Sequence, residues 1–298
     1  MRILSNPITV KELRSRMRGI RAILPMMAYL VVLGSYVLIR FAVFGTELHY
    51  SDLANSGREL GFWLLDAQIF LVLLLAPAYA ASAITIEKER ETFETMQATL
   101  LTAWDIVSGK TFSGVSYAVL LVLSSLPLLS LSFWMGGFDF VHLIWGFLII
   151  STAAMLVSAT GILLSTIFTR SYLATGVTYG VVIFSIGGSL LFQVILEGYY
   201  STHPQLTTYF PWYTVPLWFT FTMNPLSMLT VLDRGDITIY RGSSLALQNP
   251  LIDRMDGLLS SIGIPYVAVH VILAILIAMF LLFLASYFLF RSSREGNK

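Results

Sequence analysis

Six runs along the chain stay apolar for the roughly 20 residues that a helix needs to cross a bilayer core. They are 22–44, 62–86, 112–135, 141–168, 172–196 and 265–290. The pattern predicts an all-α, polytopic membrane fold of six transmembrane helices, organised as a single domain over 1–298. A seventh run, 212–232, also lacks charge, but Pro216 and Pro225 fall inside it. Proline removes a backbone donor and turns the preceding residue away from helix. A broken, re-entrant or interfacial pair of half-helices is expected there, within an extracytoplasmic segment over 197–264.

Polar positions between the runs sharpen this picture. The first residues read SNPITVKELRSRMRGIR, with Asn6 as an N-cap and Pro7 as a first helical residue. Val10, Leu13, Met17 and Ile20 share one face, while Lys11, Arg14, Arg16, Arg18 and Arg21 fill the rest. This predicts a basic amphipathic elbow helix over 5–21, lying on the inner leaflet before the first span. Residues 1–21 are too charged and too long for a signal-peptide n-region, so the first span is expected to stay. A second charged segment, 87–111, opens with Glu87, Glu89, Arg90, Glu91, Thr92 and Glu94. It continues through Phe93, Met96, Leu100 and Leu101, and is too structured for a simple turn. Arg90 and Glu94 are spaced to pair on a helix. A docking surface for a cytoplasmic protein and a solvated helical hairpin both fit.

Composition narrows the class. Charged side chains make up 12% of the 298 residues and hydrophobic ones 56%, against about 25% charged in a soluble domain. Mean hydropathy is +0.78. A soluble enzyme, a disordered tail and a free nucleic-acid binder are excluded on these grounds. The absence of cysteine excludes disulfides, thiolate metal sites, cysteine nucleophiles and palmitoylation. With both termini cytoplasmic, 13 of the 18 Lys and Arg residues fall inside, as the positive-inside rule requires.

Candidate chemistry is sparse. His49, His142, His203 and His270 are far apart, with no HExxH and no i, i+4 pair, so a metal site lacks ligands. No GxSxG marks a nucleophile elbow. Gly109-Lys110-Thr111 imitates the end of a phosphate loop, but Trp104 stands where its first glycine belongs. No catalytic residue is expected, and no cofactor is expected to bind directly. Asp66 is the carboxylate set well inside a span. It suits either pairing with Arg40 at the interface or a substrate or ion role. Gly176 and Gly180 form a small-xxx-small pair that lets helices approach closely.

The elbow NPITVKELRSRMR and the segment from Glu87 to Lys110 resemble the permease subunit of ABC-2 type ABC transporters. That family has an elbow helix before six spans, then an acidic E-x-E-R-E/x-x-T-x-E segment, a Leu-rich stretch, a T-P-L-S-like turn and a G-K. Here Glu87, Glu89, Arg90, Glu91, Thr92, Glu94, the run through Leu101 and Gly109-Lys110 match in order. The Asn224-Pro225 stretch is similar to the family's re-entrant outer helices. Glu91 stands where the family often has Gly, and Thr99-Leu100-Leu101-Thr102 lacks the turn's proline.

The resemblance implies a non-catalytic transmembrane subunit of an exporter in a prokaryotic cytoplasmic membrane. A second permease chain, identical or sister, and ABC ATPase subunits would be its partners, with membrane lipids around it and no nucleic acid. ATP and Mg would bind the ATPase. The segment 87–110 would include the coupling helix seated in the ATPase. An ATPase-coupled component of a non-transport machine and an ATP-independent secondary transporter are the rival readings.

Overall fold

The computed structural model describes residues 7–16, 20–44, 53–92, 102–203, 219–220, 222–234 and 265–295. Ten helices can be followed among them. They are α1 (Pro7–Arg16), α2 (Ile20–Phe44), α3 (Leu53–Ala80), α4 (Thr85–Glu89), α5 (Ala103–Ser124), α6 (Leu126–Met135), α7 (Phe140–Ile167), α8 (Ser171–Thr202), α9 (Pro225–Arg234) and α10 (Tyr266–Glu295). The described residues contain no strand. Five helical stretches are long and apolar enough to cross a membrane: Leu53–Glu89, Ala103–Ser124, Phe140–Ile167, Ser171–Leu196 and Val267–Arg291. Within α2 the apolar part, Ile23–Ile39, is shorter than these.

α7 is the hub, packed against α3, α5, α8, α9 and α10. Small residues let its neighbours in. A Cβ on Gly146 would meet the Leu65 side chain at 2.5 Å, and one on Gly161 would meet Ala80 Cβ at 2.9 Å. α10 answers with a stripe of buried His270, Ala274, Ala278, Leu282, Ala285 and Leu289 at three- and four-residue spacing. Its other faces carry exposed Ile272, Leu276, Phe280 and Phe283. Small residues at the contact and large apolar ones facing out suit helices packed in hydrocarbon, where dispersion and close approach drive association. α8 is turned outward most, with Phe184 80% exposed.

Several expected boundaries shift, and a proline explains one of them. The second expected span, 62–86, is instead α3 from Leu53 to Ala80, with Pro77 inside it, a turn at 81–84, then α4. After the turn, the N–H groups of Ile84 and Thr85 both donate to Ser165 Oγ at 2.9 Å. The third, 112–135, is two helices, α5 and α6, meeting at Ser125 with Pro127 in the first turn of α6. Ser124 Oγ and Ser125 Oγ donate to the carbonyls of Leu121 and Val122, each at 2.6 Å, which satisfies oxygens near the break. α5 begins nine residues before the expected span, because Thr102 and Asp105 close a capping box there. Within the expected 87–111 segment, residues 103–111 are helix and mostly buried.

Candidate functional site

One end of the bundle gathers the charged residues around Lys110. The capping box sets the phase of α5, so Lys110 points from its second turn toward α4 and α1. Lys110 is 3% exposed. Its ammonium donates to Glu87 Oε1 at 2.9 Å, to Ala83 O at 2.9 Å and to Glu12 Oε1 at 3.3 Å. Three donors thus meet three acceptors, the full capacity of a lysine. Glu12 comes from α1, whose Ile8 and Thr9 are buried while Val10, Lys11 and Arg14 are exposed. Ile8, Thr9 and Glu12 thus lie on the face of α1 turned to the protein.

The next two residues of α4 reach two other helices. Lys88 Nζ donates to the carbonyls of Ser165, Thr166 and Phe168 at 3.3, 2.6 and 3.1 Å. These lie at the C-terminus of α7, where carbonyls lack helical partners and the helix dipole is negative. The Glu89 carboxylate accepts from Ser171 N at 2.7 Å and from Ser171 Oγ at 2.9 Å. That is the N-terminus of α8, where free N–H groups and the dipole favour an anion. Ser171 Oγ also lies 3.0 Å from Thr85 Oγ1. Three consecutive residues, Glu87, Lys88 and Glu89, are therefore anchored on α5 with α1, on α7 and on α8.

Beyond this root the chain turns outward. Thr92 N donates to Glu87 O at 3.0 Å and Glu91 N to Lys88 O at 3.2 Å. These two bonds make a Schellman motif with Glu91 at the left-handed position, φ 56°. Arg90, Glu91 and Thr92 are exposed. The helix ends at Glu89, and the expected pair of Arg90 with Glu94 involves a residue outside the described ones. Glycine carries no penalty at positive φ, so Glu91→Gly should raise stability by about 1 kcal/mol. Thermal unfolding in detergent checks this, and a lower midpoint would mean that the freedom glycine adds to the unfolded chain outweighs the strain.

The remaining expected residues are not brought to this cluster. Arg18 and the side chains of Arg16, Arg21 and Arg40 lie outside the described residues. Asp66 is half-buried on α3, toward the end where Arg58 pairs with Asp233 at 3.3 Å. Gly109, Lys110 and Thr111 are helical, with Thr111 Oγ1 bonded to Val107 O, so no phosphate loop exists there. A Cβ on Gly176 or Gly180 would meet nothing within 4 Å, so neither makes a close helix approach among the described residues. No group of residues among those described could hold a metal ion.

A second feature was foreshadowed by Pro225. Residues 222–223 are helical, Asn224 is not, and α9 starts at Pro225. Asn224 Oδ1 accepts from Leu226 N at 3.0 Å, capping α9. Its Nδ2 donates to Ile186 O at 3.2 Å and Ser189 Oγ at 2.8 Å on α8. Ser227 Oγ donates to Gln193 Oε1 at 3.1 Å, and His270 Nδ1 donates to Thr222 O at 2.5 Å. The break is thus held by α8 and α10, as non-helical backbone at membrane depth requires. Compared with family models and with curated proteins, the sequence matches none.

Proposed function

We propose that this chain is the membrane subunit of an ABC-2 type exporter, driven by ATP hydrolysed on a separate ATPase. The observation that carries this reading is the build of the segment after α3. Its root, Glu87-Lys88-Glu89, is bonded to α5, α7 and α8, and through Lys110 to α1, while Arg90, Glu91 and Thr92 stand exposed. Such a segment passes a push on its tip to the spans behind it. The spans then shift as rigid bodies, the kind of motion packed helices support. Three elements take the push directly, α5 through Lys110, α7 through Lys88 and α8 through Glu89.

In this reading α2 supplies the first of six spans and α9 belongs to the re-entrant outer segment. The Lys110 end faces the cytoplasm, where exposed Lys11, Arg14, Arg90, Arg170 and Arg291 supply the inner positive charge. The exported substrate crosses without any catalytic group from this chain.

Gentle extraction of the tagged chain from its native membrane should recover an ATPase subunit. Arg90→Glu with Glu91→Lys should abolish that recovery while leaving the melting temperature unchanged, because both side chains are exposed. Wild-type protein that brings down no ATPase would overturn the reading.

A further inference from the structure

A cavity of about 270 Å³ lies between α3, α7, α8 and the break at Asn224. Its depth is formed by Leu73, Val157, Val182, Ile186 and Met223. Its mouth carries Val181, Ser185 and Phe219, which are exposed. The mouth therefore opens on the flank where α8 turns Val177, Phe184 and Leu191 outward. On a helix long and apolar enough to span a membrane, that flank meets hydrocarbon rather than water.

The hydrogen bonds of the lining decide what can enter. Thr160 Oγ1 donates to Leu156 O, Ser185 Oγ to Val182 O and Ser189 Oγ to Ile186 O, at 2.8, 3.0 and 2.9 Å. Asn224 spends its amide on Ile186 O and Ser189 Oγ. These donors are committed to the protein, so the cavity turns methyl and methylene groups inward. Water needs two to four polar partners and is poorly served here. A cavity of roughly 150 Å³ with such a lining holds a benzene, so this one has room for a stretch of a single hydrocarbon chain.

We infer that this cavity takes one acyl chain of a bilayer lipid, entering sideways between α8 and Phe219. The inference goes beyond the exporter reading and does not depend on an ATPase. It places a lipid chain against the Asn224 hinge, where its presence holds α8 and α9 apart.

The test uses the full chain in phosphatidylcholine vesicles that contain a lipid with a diazirine on one acyl chain. After illumination, mass spectrometry locates the adducts. Adducts on Leu73, Val157 or Met223 are expected, since Leu73 and Val157 are buried and only an inserted chain reaches them. Ser185→Trp at the mouth and Val157→Phe in the depth should each cut those adducts roughly tenfold, the factor for displacing about two methylenes. Labelling of exposed Phe280 and Phe283 should stay constant. Adducts confined to exposed residues of wild-type protein would overturn the inference, whatever the variants do. Because the chain has no cysteine, Val181→Cys tests the rival occupant. A disulfide-linked dimer formed in vesicles would show that a second copy covers the mouth, and would also overturn it.

Discussion

Lys110→Met should cost about 3 kcal/mol of stability, the lower end for breaking a buried ion pair by removing one partner. The lower end applies because the Glu12 and Glu87 side chains keep 20% and 21% of their exposure, whereas Lys110 keeps 2%. Methionine preserves the volume of the stem, so lost packing contributes little. What remains is a pair of carboxylates facing each other and an Ala83 carbonyl without its donor. Lys110→Arg should not rescue, because a planar guanidinium cannot reproduce three bonds radiating from one nitrogen. The converse variant, Glu12→Gln with Glu87→Gln, strands the buried ammonium and should be worse than either single change. Chemical or thermal unfolding in detergent measures all five. A loss below about 0.5 kcal/mol for Lys110→Met, the size of an ordinary surface change, would show that the cluster is solvated and does not hold α1 to the bundle.

Gly161→Leu should destabilise by a similar amount, about 3 kcal/mol, at the top of the usual range for overpacking. The atoms in the way cannot swing aside, for a Cβ there would lie 2.9 Å from Ala80 Cβ and 3.0 Å from Ala81 N. The end of α3 must retreat, and Ser165, one turn further along α7, then loses its hold on the Ile84 and Thr85 N–H groups. Amide hydrogen exchange at residues 81–85 should accelerate in this variant. Gly146→Ala provides the contrast, since its obstacle is the mobile end of Leu65. It should cost less than about 1.5 kcal/mol, as mild core changes do. Equal effects at the two glycines would show that the 81–84 turn is not rigidly packed.

Apolar run length located α7, α8 and α10 within a few residues, because nothing interrupts those helices. It failed at Ser125, where Pro127 divides a run, since hydropathy is blind to a missing backbone donor. The start of α5 was legible in Thr102 followed three residues later by Asp105, a signal outweighed by the pull of hydrophobic length. Charge density marked Glu87 and Glu89 as a functional segment; the structure adds that Glu87 is half-buried on Lys110 and that Glu89, although exposed, is bonded to Ser171. Their partners Lys110 and Ser171 stand 23 and 82 positions away, and only the folded chain brings such distant residues together. Glu12 sat unnoticed among the basic residues of the elbow for the same reason. The cavity left no trace in the sequence beyond Pro225, because its walls come from four separate stretches of chain.

The bond from Glu89 to Ser171 gives α8 a fulcrum. That helix has 32 residues and so extends about 48 Å, yet only 11% of its apolar window is buried within this chain. A rod bonded at one end, and further along at Tyr179, Ile186, Ser189 and Gln193, still carries a rotation of its base as a larger displacement of its far end. A tilt of about 5° at Ser171 would carry Thr202 through about 4 Å. Displacements of a fraction of an ångström at Glu89 would thus reach the opposite side of the membrane as movements large enough to part neighbouring side chains.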